Sequence, residues 1–158
     1  MNLIRSLSEK FGITVVIITH ELEVIKSICG KCAVMDGGKL AEIGGVYDIF
    51  TNPQSGITKQ LIKSTQRHEL PDEVIKNTQG LLVKLTFLGS GANTPVISDV
   101  TSRFGIQFNI MVGRIEYIED KPLGVLYVNP VGEESAVKKS LDYLKQVVKK
   151  VEVIDHGV

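Results

Sequence analysis

The chain has 158 residues, room for one ordinary domain or two small ones. Its 43% hydrophobic and 23% charged content is usual for a globular protein, and 18 basic residues against 18 acidic ones leave no net field to draw nucleic acid or an anionic membrane. No apolar run is long enough to span a bilayer, the first residues do not read as a signal peptide, and two cysteines without secretory context indicate a reducing compartment.

In chain order, residues 3–11 place Leu3, Ile4, Leu7 and Phe11 on one helical face, and Gly12 is a natural stop. Thr14 to Thr19 (TVVIIT) is apolar or β-branched without alternation, the pattern of a strand buried on both faces of a parallel sheet. His20 follows at the strand end, where open α/β sheets collect their chemistry. Leu22, Ile25 and Ile28 then recur at helical spacing, with Glu21 and Glu23 well placed in the first turn. Cys32–Met35 and Lys39–Ile43 flank Asp36-Gly37-Gly38, a hairpin signal because glycine tolerates positive φ. A short helix is expected over Val46–Phe50, broken before Pro53, and another over Ser55–Ser64.

Residues 65–80 (TQRHELPDEVIKNTQG) are polar, contain a proline, and hold too few apolar residues for a core. They read as a linker with one helical turn at Asp72–Lys76. From Leu81 a second pattern begins. Leu81, Val83, Leu85 and Phe87 alternate as in a half-buried strand, and Thr94-Pro95 opens a helix whose stripe Val96, Ile97, Val100, Phe104 ends at Gly105. Ile106, Phe108, Ile110 and Val112 alternate strictly, leaving Gln107, Asn109 and Met111 on the opposite face, and the strand bends at Gly113 and continues through Ile118. Glu119–Pro122 turns the chain into a strand over Gly124–Val128. A helix over Glu133–Gln146 turns Val137, Leu141 and Leu144 inward, and a strand over Val148–Ile154 closes the pattern. The order β-α-β-β-α-β predicts an α+β ferredoxin-like domain over 81–158, with both helices on one sheet face and the other face wet or occupied.

Several motifs bear on chemistry. The string I-I-T-H-E-L, a helix, then A-V-M-D-G-G-K-L-A-E-I-G resembles the distal part of an ABC-transporter ATPase. The resemblance covers about the first 64 residues, which would make 1–64 an α/β remnant of an ABC nucleotide-binding domain. It implies that His20 is the histidine that reaches the γ-phosphate of ATP, a role suited to an imidazole facing a transferring phosphoryl group. The sequence has no G-x-x-x-x-G-K-[ST] phosphate loop, no ABC signature and no apolar strand ending in Asp-Glu. Gly89-Ser90-Gly91 lacks the lysine of a phosphate loop and reads as a turn. ATP and magnesium are therefore expected only in a complete parent subunit, with no cofactor in this chain alone, no hydrolysis by it, and His20 without function in it. Cys29-Gly30-Lys31-Cys32 is a C-x-x-C, but Cys29 falls at a helix C-terminus, where the dipole raises rather than lowers a thiol pKa. A zinc site would need two more ligands, and His68 is the only other histidine near in sequence. Two ordinary buried thiols and no metal are expected.

An ABC ATPase end, a polar linker and a terminal βαββαβ module together resemble the ATP-binding subunit of bacterial methionine importers, with local agreement at S-R-F-G-I-Q-F-N-I and K-V-E-V. In that family the added domain pairs with its copy in a second subunit, binds methionine and shuts off uptake. The resemblance implies a homodimer through 81–158, a membrane permease partner, and a location on the cytoplasmic side of the cell membrane, held there by the permease. It also matches Asn109 to the family's methionine-site asparagine. An amide can donate to a carboxylate and accept from an ammonium, and Met111 on the same face offers a soft contact for a thioether. Gln107 completes the candidate set. The alternative is that Gln107, Asn109 and Met111 are a solvated or dimer-packed sheet face of a ligand-free dimerisation module.

Overall fold

A computed structural model gives the fold. It describes residues 2–65, 70–89, 91 and 94–154, except the side chains at 2, 65 and 72. His68 of the expected linker, Ser90 of the expected Gly89-Ser90-Gly91 turn and the last four residues lie outside the described residues. The chain divides into two compact units, one of residues 1–67 with Ile118–Asp120 and the other of residues 68–158 without those three.

The first unit comprises α1 (Asn2–Phe11), α2 (Leu22–Ile28), β1 (Lys31–Asp36), β2 (Lys39–Gly45), α3 (Val46–Thr51) and α4 (Gly56–Thr65). Gly37 and Gly38 carry φ of 54° and 77°, so the β1–β2 hairpin turns where glycine's freedom is needed. Its core is small: Leu22, Val46, Ile49, Phe50, Ile62 and Ile118 are its buried apolar residues among those described. Glu42 on β2 fastens the start of α4, its carboxylate accepting the backbone N–H groups of Gln54 and Ser55 at 2.9 Å each. Ser55 Oγ accepts the Thr58 N–H at 3.1 Å, an N-cap bond at the same helix start.

The buried strand expected at Thr14–Thr19 does not form. Residues 13–19 adopt no regular structure, and Val16 and Ile18 are 82% and 98% exposed. A strand apolar on both faces needs parallel neighbours and covering helices, whereas β1 and β2, the strands described in this unit, pair with each other. The apolar stripe of α1 is likewise exposed at Leu3, Ile4, Leu7 and Phe11.

The second unit comprises α5 (Asp72–Asn77), β3 (Leu82–Leu88), α6 (Val96–Phe104), β4 (Gln107–Ile118), β5 (Lys121–Val131), α7 (Glu134–Val147) and β6 (Lys150–Ile154). Its sheet runs β4-β5-β3-β6, with β3 antiparallel to β5 (Val83 opposite Val128) and to β6 (Leu82 opposite Ile154). Each split βαβ pair has a strand of the other inserted between its members, the ferredoxin-like arrangement. One face carries the main core, where Val83, Leu85, Phe87 and Val128 meet Val100 of α6 and Leu141 and Leu144 of α7. Gly105 ends α6 at φ 64°, as its position predicts, while Pro95 rather than Thr94 occupies the N-cap. The β4–β5 turn is tighter than Glu119–Pro122. Glu119 and Asp120 alone take positive φ, 51° and 62°, and Pro122 already belongs to β5.

Two expectations change at the other face. Leu81 is exposed, whereas Leu82 is fully buried beneath Leu70 and Tyr127. Val74, Ile75 and Met111 pack against the same cluster, so residues 70–77, read from composition as linker, cover the second face of the sheet. The alternation expected along β4 also lapses. Ile106 and Phe108 join the helix-side core, but Ile110 is exposed and Val112 packs with the second cluster. Beyond it, a Cβ on Gly113 would approach Leu126 Cδ2 to 2.9 Å, which is where the strand was expected to bend.

Candidate functional site

Where α5 lies over the second face of the sheet, an open cleft of about 460 Å³ remains. Glu73, Val74, Asn77, Thr78 and Gln79 line it from the α5 side, and Asn109, Met111 and Asn129 from the sheet. Asn109 and Met111 of β4 both reach this face, Met111 packing against the cluster of Leu70, Leu82 and Tyr127. Gln107 is exposed and lies outside the cleft lining. Two of the three β4 residues singled out in the sequence are thus brought together, and the third is not.

Asn129 anchors the back of the cleft. It is 9% exposed, and its Nδ2 donates to the carbonyls of Gln79 at 3.1 Å and Leu81 at 2.8 Å. Gly80, between those carbonyls, has φ of 83°, a conformation that favours glycine, and a Cβ there would sit 3.6 Å from Asn129 Nδ2. Thr78 ends α5 by donating its hydroxyl to the Val74 carbonyl at 2.7 Å. The crossing from α5 to β3 is therefore tied to β5 by a buried amide.

Among the described residues, Glu73 is the only ionisable one lining the cleft, beside three asparagines, a glutamine, a threonine, Val74 and the thioether of Met111. Such a surface can hold an ammonium against a carboxylate, a carboxylate against amide N–H groups and an unbranched apolar chain against Val74 and Met111. A second cleft, about 150 Å³, is lined on the helix side by Phe87, Thr94–Ser98, Ile115, Gly124 and Leu126, with no ionisable residue among the described ones.

Glu73, Asn77 and Asn129 were not singled out in the sequence. Asn129 had a signal: it interrupts the apolar run V-L-Y-V-N-P-V, and a polar side chain there needs a hydrogen-bond partner. Glu73 and Asn77 were hidden because their segment reads as polar overall, although Leu70, Val74 and Ile75 are spaced to cover a surface.

His20 lies in an exposed bend before α2, where the Glu21 N–H donates to Thr19 Oγ1 at 3.0 Å. Cys29 caps the C-terminus of α2 and Cys32 lies in β1, both as free thiols that are half-buried rather than buried as expected. Partial burial, with lesser contributions from Cys29 and Glu42, raises the Cys32 thiol above its ordinary pKa, opposite to what a reactive thiolate requires. Among the described residues, no three His, Cys, Asp or Glu side chains gather into a group able to hold a metal, and no helix is long and apolar enough to cross a membrane.

Residues 81–153 match the family model of the NIL domain. Over 156 residues, 99% of the chain, the sequence is 43% identical to a methionine import ATP-binding protein of Oceanobacillus iheyensis. It is 42% identical over 154 residues to a protein of the same description from Salmonella choleraesuis. The chain spans 46% of the length of each of these two relatives. Among solved structures it is similar to the C-terminal domain of an ABC transporter ATP-binding protein from Enterococcus faecalis, at 26% identity and a TM-score of 0.47, covering 54% of this chain and 96% of that one.

Proposed function

Because the chain is a relative of the methionine import ATP-binding proteins along nearly its whole length and matches the NIL domain in its second half, we propose that residues 70–154 form a regulatory domain. The domain binds methionine in the cleft between α5 and the sheet, pairs with a second copy, and restrains uptake by a methionine ABC importer. The observation that carries this reading is the cleft itself. It gathers Asn109, Met111 and Glu73, a set suited to an amino acid with a thioether side chain. Coupling follows from differential binding: methionine favours one arrangement of the paired subunits over the other, and a bias of roughly 1–3 kcal/mol is enough to inhibit. In the full transporter the subunit would sit on the cytoplasmic side of the membrane, held by its permease.

Of the groups an ATP site needs, this sequence supplies His20 without a phosphate loop. The residues present do not fit a nucleotide, and the proposal assigns His20 no chemistry in this chain. Titration calorimetry with L-methionine is the test. The parent chain should bind, and Asn109→Ala should bind more weakly. A folded parent chain that takes up no methionine would overturn the proposal.

A second reading has its own support. β4 is an edge strand of twelve residues with Ile110, Ile115 and Tyr117 more than half exposed, a surface suited to pairing without any ligand. Sedimentation separates the two readings, because a ligand-free module would give a dimer indifferent to methionine.

A further inference from the structure

We infer that α5 is a recognition element of the site, with Glu73 as the group that accepts the ligand's ammonium and Asn129 as the residue that positions the α5 wall. The inference rests on the proposed amino-acid site and adds the residues that select an α-amino acid within it.

An α-amino acid presents an ammonium and a carboxylate on one carbon, and a site that recognises both must offer an acceptor of negative charge and neutral or positive donors. Among the described residues, Glu73 supplies the only carboxyl group lining the cleft. The amide of Asn109, across the cleft on β4, can donate to the ligand carboxylate. Val74 and Met111 belong to the cluster around Leu70, Leu82 and Tyr127, so the apolar side of the cleft is continuous with a packed core. A ligand held in this way touches α5 and β4 at once.

The wall must also stay in place. Asn129 takes the carbonyls of Gln79 and Leu81 with one buried amide, and Gly80 allows the chain to turn between them. Asn129 thereby fixes the distance of Asn77, Thr78 and Gln79 from the sheet, which sets the width of the cleft.

Calorimetry on the full chain distinguishes this inference from the reading it rests on, using L-methionine and its analogue lacking the amino group. Loss of one charge-assisted hydrogen bond should weaken L-methionine binding to Glu73→Gln by roughly ten- to a hundredfold. The des-amino analogue should bind the parent chain and Glu73→Gln equally, since it has no ammonium to lose. Glu73 is exposed, so its replacement leaves the core intact. If Glu73→Gln binds L-methionine like the parent while Asn109→Ala does not, the role of Glu73 is wrong and the amino-acid site survives. If the parent binds neither ligand, the site and this inference fall together.

Discussion

Asn129 shows how much one side chain can fix. Its amide satisfies two backbone carbonyls that lie about fifty residues away in sequence, separations of 50 and 48. Asn129→Ala would remove both bonds, a loss of about 1–3 kcal/mol. Denaturant unfolding of the second unit would measure it. Leu144 is completely buried between α7 and the sheet, and Leu144→Ala should cost about 2–5 kcal/mol by the same measurement. Glu42 tests electrostatics in the first unit. Its hydrogen bond with Thr58, followed by those from the Gln54 and Ser55 N–H groups, holds its carboxyl below the ordinary value. A lowered folded-state pKa gives stability that is present above the unfolded value and lost as pH falls through the folded one. Thermal melts should therefore find Glu42→Gln less stable than the parent at neutral pH, with the difference fading below roughly pH 4.

At the scale of elements, periodicity and turn chemistry made most of the secondary structure readable. The Asp36-Gly37-Gly38 turn, the stop at Gly105 and the inward stripe of α7 are local signals that packing later reinforces. The failures arise where tertiary context decides. Thr14–Thr19 carries the composition of a buried strand, yet strand formation requires partners that local sequence cannot supply. Residues 70–77 failed in the opposite direction, since three apolar residues amid polar ones suffice when a sheet face lies beneath them. Half the cleft was consequently legible, through Asn109 and Met111 on β4, and the half on α5 was not. The family match begins at residue 81, but Leu70 is 4% exposed and packs on Leu82 and Tyr127. Leu70→Ala should accordingly destabilise the second unit by about 2–5 kcal/mol, as an ordinary core truncation does. A melt indistinguishable from the parent would return this segment to the status of a connector.

For the whole molecule, the two units differ in how much apolar surface they bury. The second closes a core on both faces of its sheet, whereas the first leaves Leu3, Phe11, Val16 and Ile18 exposed around a two-stranded hairpin. Amide hydrogen exchange should accordingly be faster across residues 2–65 than across 82–154, and equal protection would contradict that ranking. The proposed ligand site lies in the better-packed unit and His20 in the other. The most direct test of the central claim is an amide NMR titration of the chain with L-methionine. Saturable shifts concentrated at Val74, Thr78, Asn109 and Met111 are the predicted result. Shifts confined to other residues, or none at concentrations where the chain is folded, would contradict it.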